Sequence, residues 1–95
     1  MSDGMAGVIR EVRRIARDCN RIAPGIIGIR INPSGVYACR EDWRYFPVRV
    51  STTRLISEMR KISLSVSGVS CLIDSEAPES WCIDNGVLQF YELRI

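Results

Sequence analysis

Five arginines recur at helical spacing near the start of the chain: Arg10, Arg13, Arg14, Arg17 and Arg21. Their chemistry is that of the guanidinium group, which is planar, permanently charged and shaped for paired hydrogen bonds to carboxylate or phosphate. On a helical wheel they fall within about 100° of arc, and Val8, Ile9, Val12, Ile15, Ala16, Cys19 and Ile22 fall within about 140° on the other side. A helix over 8–22 therefore buries one flank and turns a basic flank to water, where an anionic partner would meet it. Glu11 and Asp18 border the stripe, so a solvated flank paired with local acids competes with the ligand-binding reading.

A second concentration of contact chemistry is Arg40-Glu41-Asp42-Trp43-Arg44-Tyr45-Phe46. Arg, Trp and Tyr dominate the energetics of protein interfaces, which makes Arg40, Trp43, Arg44 and Tyr45 candidate contacts. Trp43 and Tyr45 also offer rings on which unpaired bases stack. Arg30 and Arg49 extend the positive field if their strands expose that side. The competing reading has Trp43 and Phe46 capping the core while the charges keep a loop soluble. An exposed Trp81 would mark a further contact area.

Catalytic chemistry finds little support. The chain has no histidine, the usual general base near neutral pH. The acid pairs Glu41-Asp42 and Glu76/Glu79 lie in turns, where carboxylates are ordinarily just solvated. Gly25-x-x-Gly28 lacks the Lys and Ser of a phosphate cradle. The four cysteines (Cys19, Cys39, Cys71, Cys82) form no C-x-x-C pair and sit among apolar neighbours. They read as buried, reduced thiols and not as zinc ligands, which places the chain in a reducing cytoplasm. No cofactor, metal site or enzymatic activity is expected.

The 95 residues, 46% of them apolar and 25% charged, have the balance of one ordinary globular domain. The net charge of +2 conceals an asymmetry. Residues 1–61 hold eleven Arg and one Lys against six acids, while residues 62–95 hold one Arg against five. Residues 1–7 lack the basic head and apolar run of a secretion signal and read as a disordered lead-in to a domain over 8–95. No apolar stretch is long enough to span a bilayer.

The elements that would position these residues follow from periodicity and punctuation. Pro24-Gly25 ends the first helix. Ile26–Ile31 and Val36–Arg40 are strands joined by Asn32-Pro33-Ser34-Gly35, a turn with a residue suited to each place. Arg44–Val50 is a third strand, which Pro47 confines to an edge or a bulge. Ser51-Thr52-Thr53 offers caps for a second helix that buries Leu55, Ile56, Met59 and Ile62 and turns Arg54, Glu58, Arg60 and Lys61 outward. Residues 63–68 fit helix tail, linker or strand equally. Val69–Asp74, Ser80–Asp84 and Val87–Ile95 read as strands, the last two joined by Asn85-Gly86.

The expected fold is α+β, with two helices packed on one face of a mostly antiparallel sheet in the order α-β-β-β-α-β-β-β. Residues 8–62 share the α-β-β-β-α order of double-stranded-RNA-binding domains. The analogy is one of topology alone, because the basic cluster opening their second helix would fall at Thr52-Thr53-Arg54 and is absent. The leading functional expectation is a small non-enzymatic protein–protein interaction module, an accessory or inhibitory adaptor whose partner is another protein or a second copy. The alternative is a nucleic-acid binder using the arginine face of the first helix.

Overall fold

The computed structural model describes residues 3–42, 44–66, 68–72, 79–84 and 87–92. Two helices and a three-stranded antiparallel sheet follow one another as α1 (Asp3–Ile22), β1 (Gly28–Asn32), β2 (Gly35–Cys39), β3 (Tyr45–Val48) and α2 (Thr53–Lys61). Of the later expected strands, 80–84 lies within the described residues, 69–74 and 87–95 fall partly outside them, and the Asn85-Gly86 turn lies wholly outside.

Helix α1 buries Val8, Val12, Ile15, Ala16 and Cys19, the stripe its periodicity requires. Two expected members depart from it. Ile9 is half-buried at the stripe's margin, and Ile22 is 57% exposed. Ile22 is the last helical residue, and beyond it the chain turns through Pro24 and Gly25, the latter at φ +88°. Ala23 tucks inward in its place, its N–H donating to the Cys19 carbonyl at 2.8 Å.

The helix also starts earlier than expected, at Asp3, so that residues 3–7 are helical where a disordered lead-in was anticipated. Packing supplies the reason. Gly7 is buried where α1 meets α2, and a methyl group there would run into the Glu58 carboxylate. The contact between the helices at Gly7 thus favours the earlier start. Glu58, expected on the outer side of α2, instead lies against this contact and accepts a hydrogen bond from Lys61 Nζ at 3.1 Å.

The β1–β2 hairpin pairs Asn32 with Gly35 at its tip. Asn32 Oδ1 accepts the Ser34 N–H at 2.9 Å and also the Ser34 hydroxyl, which makes the turn self-contained. Gly35 stands at φ +147°, a conformation that L side chains rarely adopt. The register aligns Ile31 with Val36 and Val48, and Ile29 with Ala38 and Phe46. One sheet face therefore carries Ile29, Ile31, Val36, Ala38 and Val48. These pack with Leu55 and Met59 of α2 and with the α1 stripe into one apolar cluster. Strand β3 is an edge, where the missing N–H of Pro47 disrupts nothing further.

Residues 63–66 resolve as a helix terminator followed by chain in neither helix nor strand. Ser63 takes φ 59°, its N–H donates to the Arg60 carbonyl at 3.2 Å, and the Leu64 N–H donates to the Met59 carbonyl at 2.9 Å. This pair of bonds is the Schellman pattern, with Leu64 folding back onto the core. Serine is the wrong residue for that backbone, because a Cβ in the left-handed region costs about 1–2 kcal/mol. Glycine loses part of that gain to unfolded-chain entropy. Ser63→Gly is accordingly expected to raise stability by about 0.5–1 kcal/mol, read as a later urea midpoint at unchanged slope.

Candidate binding surface

The arginine flank of α1 divides into two sets. Arg14 turns toward the chain: Nε donates to Glu11 Oε1 at 2.9 Å, Nη1 to Asp18 Oδ2 at 3.0 Å and Nη2 to the Ser51 carbonyl at 3.0 Å. Helical spacing brings the acids to it, because residues three and four apart share a face. The third bond ties α1 to the connection between β3 and α2. Glu11 is only 9% exposed, so its carboxylate depends on this partner. Arg21 Nη2 donates to Asp18 Oδ1 at 2.9 Å from an otherwise exposed position.

Arg10, Arg13 and Arg17 form the second set. All three are exposed, and with Ala6 and Ile9 they line a shallow depression of about 520 Å³. From Arg10 to Arg17 the helix rises about 10 Å, so the three guanidinium groups make a short row along its axis.

The 40–46 cluster is not a single patch. Phe46 lies opposite Ala38 on the helix-covered face, with the Arg40 guanidinium 5.1 Å from its ring centroid. Tyr45, one residue away on β3, points to the other face, because successive strand residues alternate. Arg44 is exposed, and its backbone N–H donates to Asp42 Oδ1 at 3.1 Å. Trp43 lies outside the described residues.

The sheet face away from the helices carries what the sequence reading did not assemble. Arg30 pairs with Tyr37, which pairs with Pro47; Gly28 pairs with Cys39, which pairs with Tyr45. The Arg30 guanidinium crosses between these rows to lie 4.5 Å from the Tyr45 ring centroid. Cys39 is fully buried although it stands outside the apolar core cluster, as a short side chain between taller neighbours would be. Burial pushes the Tyr45 phenol above its ordinary value, the neighbouring Cys39 thiol adds to this, and Arg30 opposes it. The signal that could have found this face was present: Arg30, Tyr37 and Tyr45 are each out of phase with the apolar residues of their strands.

Cys19 and Cys39 are free and buried, whereas the side chains of Cys71 and Cys82 lie outside the described residues. Burial, with a smaller contribution from the Asp18 carboxylate, pushes the Cys19 thiol up to about 11. The thiolate is the reactive form, so Cys19 is a poor nucleophile near neutral pH.

No protein-family model matches this chain, and neither a curated protein nor a solved structure does. Among the described residues no helix is long and apolar enough to cross a membrane. The same residues contain no grouping of three or more Cys, Asp or Glu placed to hold a metal ion.

Proposed function

We propose that this chain is a small non-enzymatic interaction module that docks on an acidic surface of a partner protein through the outward flank of α1. The observation that carries the reading is the depression on α1 that Arg10, Arg13 and Arg17 line with Ala6 and Ile9, on a flank whose Arg14 and Arg21 take up Glu11 and Asp18. Guanidinium groups next to small apolar side chains are the composition of a protein contact, where a dry centre is edged by charge. A second copy is an eligible partner, because residues 62–95 carry five acids against one arginine. The free, buried Cys19 and Cys39 suit a reducing compartment, which supports a cytoplasmic location.

The reading includes a larger sheet. Segments β4 (Val69–Leu72), β5 (Glu79–Asp84) and β6 (Val87–Glu92) are proposed to continue it in the order β3-β2-β1-β4-β6-β5. The antiparallel register of β4 on β1 and the burial of Val69 in the core support the extension. The β4–β6 pair would be its one parallel junction.

Nucleic acid remains the second reading for the same flank, because a row of arginines also meets phosphates. The two separate by probe. An immobilised peptide of alternating Glu and Leu should retain the protein more strongly than a blunt DNA duplex at equal salt. Arg10→Glu with Arg17→Glu should weaken peptide retention about tenfold with the circular dichroism spectrum unchanged. Stronger retention by the duplex, lost in the same variant, would transfer the flank to nucleic acid. Retention indifferent to the variant would leave the row as an ordinary solvated flank.

A further inference from the structure

We propose that the helix-free face of the sheet is a second binding surface, one that takes single-stranded nucleic acid by stacking unpaired bases on Tyr37 and on the Arg30–Tyr45 pair. It lies on the opposite side of the sheet from α1 and is independent of the protein-docking role given to that helix.

The surface is assembled by register. Arg30 and Tyr37 are directly paired across β1 and β2, and Tyr45 stands one row away on β3. Arg30 is exposed and lies over the Tyr45 ring at 4.5 Å, which fixes a guanidinium plane on a flat aromatic base. Guanidinium planes and tyrosine rings both accept an unstacked base, whichever base it is. Tyr37 is held as well, its hydroxyl 3.1 Å from the Ser34 hydroxyl at the hairpin tip. Tyr37, Pro47 and Arg49 help line an open groove of about 520 Å³.

Charge selects the partner. Among the side chains described on β1, β2 and β3, this face carries Arg30 and no carboxylate, and the exposed Arg49 adjoins it. Glu41 and Asp42 belong to the turn beyond β2. A face that is cationic, aromatic and acid-free over the described side chains of β1, β2 and β3 fits a chain that is anionic along its backbone and π-rich along its bases. A duplex keeps its bases stacked inside and has none to offer these rings.

The test is fluorescence anisotropy with a labelled 16-nucleotide oligo-dT, competed by a blunt duplex, by heparin and by polyglutamate. Binding should weaken steeply between 50 and 200 mM salt, and single strands should compete at least tenfold better than any of the three rivals. Tyr37→Ala and Arg30→Ala should each cost about tenfold or more, as loss of a stacking partner does. Tyr37→Phe, which keeps the ring and removes the hydroxyl, should bind within about twofold of the parent and shows that the fold survives. Arg10→Glu with Arg17→Glu should change nothing by way of stacking, so failure of this surface and failure of the α1 surface are told apart. Absence of binding at low salt, equal competition by heparin or polyglutamate, or parental affinity in Tyr37→Ala would each overturn the proposal. Equal competition by polyglutamate would assign the face to an acidic protein.

Discussion

Replacing Ile15 by alanine should cost about 2–5 kcal/mol, whereas the same substitution at Ile22 should cost less than about 0.5 kcal/mol. The two isoleucines are seven residues apart on one helix, and helical periodicity assigns both to the buried stripe. Ile15 is completely buried and belongs to the cluster that joins α1 to the sheet, while Ile22 is 57% exposed. Truncation at Ile15 removes three carbons from a close-packed interior and leaves a void that neighbours fill only in part. At Ile22 the removed carbons already face water. In a domain of this size each kcal/mol moves the thermal midpoint by about 4–8 °C, so Ile15→Ala should shift it by about 8 °C or more and Ile22→Ala barely. Thermal unfolding followed by far-ultraviolet circular dichroism reads both. Equal losses would place α1 in a different rotation about its axis, with the arginine row no longer outward.

That pair also shows where the sequence is legible and where it is not. Periodicity identifies α1 and its buried side because each turn repeats the same demand. It cannot mark the last turn, where the path of the chain through Pro24 and Gly25 decides whether residue 22 or residue 23 packs inward. The hairpin is legible for a local reason: Asn32, Ser34 and Gly35 satisfy one another without help from the rest of the molecule. The early start of α1 is illegible for the opposite reason. It depends on a contact between Gly7 and Glu58, which are fifty-one positions apart. Ser63 illustrates a third case, since a non-glycine residue at a left-handed position conceals the helix terminator that Gly would announce.

The candidate surfaces divide in the same way. The exposed positions of Arg10, Arg13 and Arg17 follow from helical phase alone. The removal of Phe46, with Arg40 against its ring, and of Tyr45 to opposite faces follows from strand alternation, once β3 is known to be extended through both. The Arg30–Tyr45 contact is beyond any reading of the chain in one dimension, because it needs the register of three strands at once. Adjacent residues in a sequence make a persuasive cluster on paper, but a strand distributes them to two sides.

Arg14 tests how far one arginine in a row of five can differ from the rest. Arg14→Ala is expected to lower stability by about 1–3 kcal/mol, and Arg10→Ala and Arg17→Ala should stay within about 0.5 kcal/mol of the parent. The guanidinium of Arg14 makes three hydrogen bonds, and two of its acceptors are carboxylates. Partial exposure reduces what those ion pairs contribute, which sets the lower end of the range. The upper end comes from Glu11, whose mostly buried carboxylate loses its counterion in the variant. Arg14→Lys should recover less than half of the loss, because an ammonium group on a single point lacks the planar fork that meets three acceptors together. A double-mutant cycle with Glu11→Ala, followed by urea unfolding, isolates the pair. Once Glu11 is absent the arginine has less to neutralise, so the double variant should be more stable than the sum of the single losses by at least 0.5 kcal/mol. Strict additivity would mean that Arg14 holds α1 through the Asp18 carboxylate and the Ser51 carbonyl without help from Glu11. The buried Glu11 carboxylate would then lack the counterion assigned to it, and the anchoring role given to Arg14 at that acid would collapse.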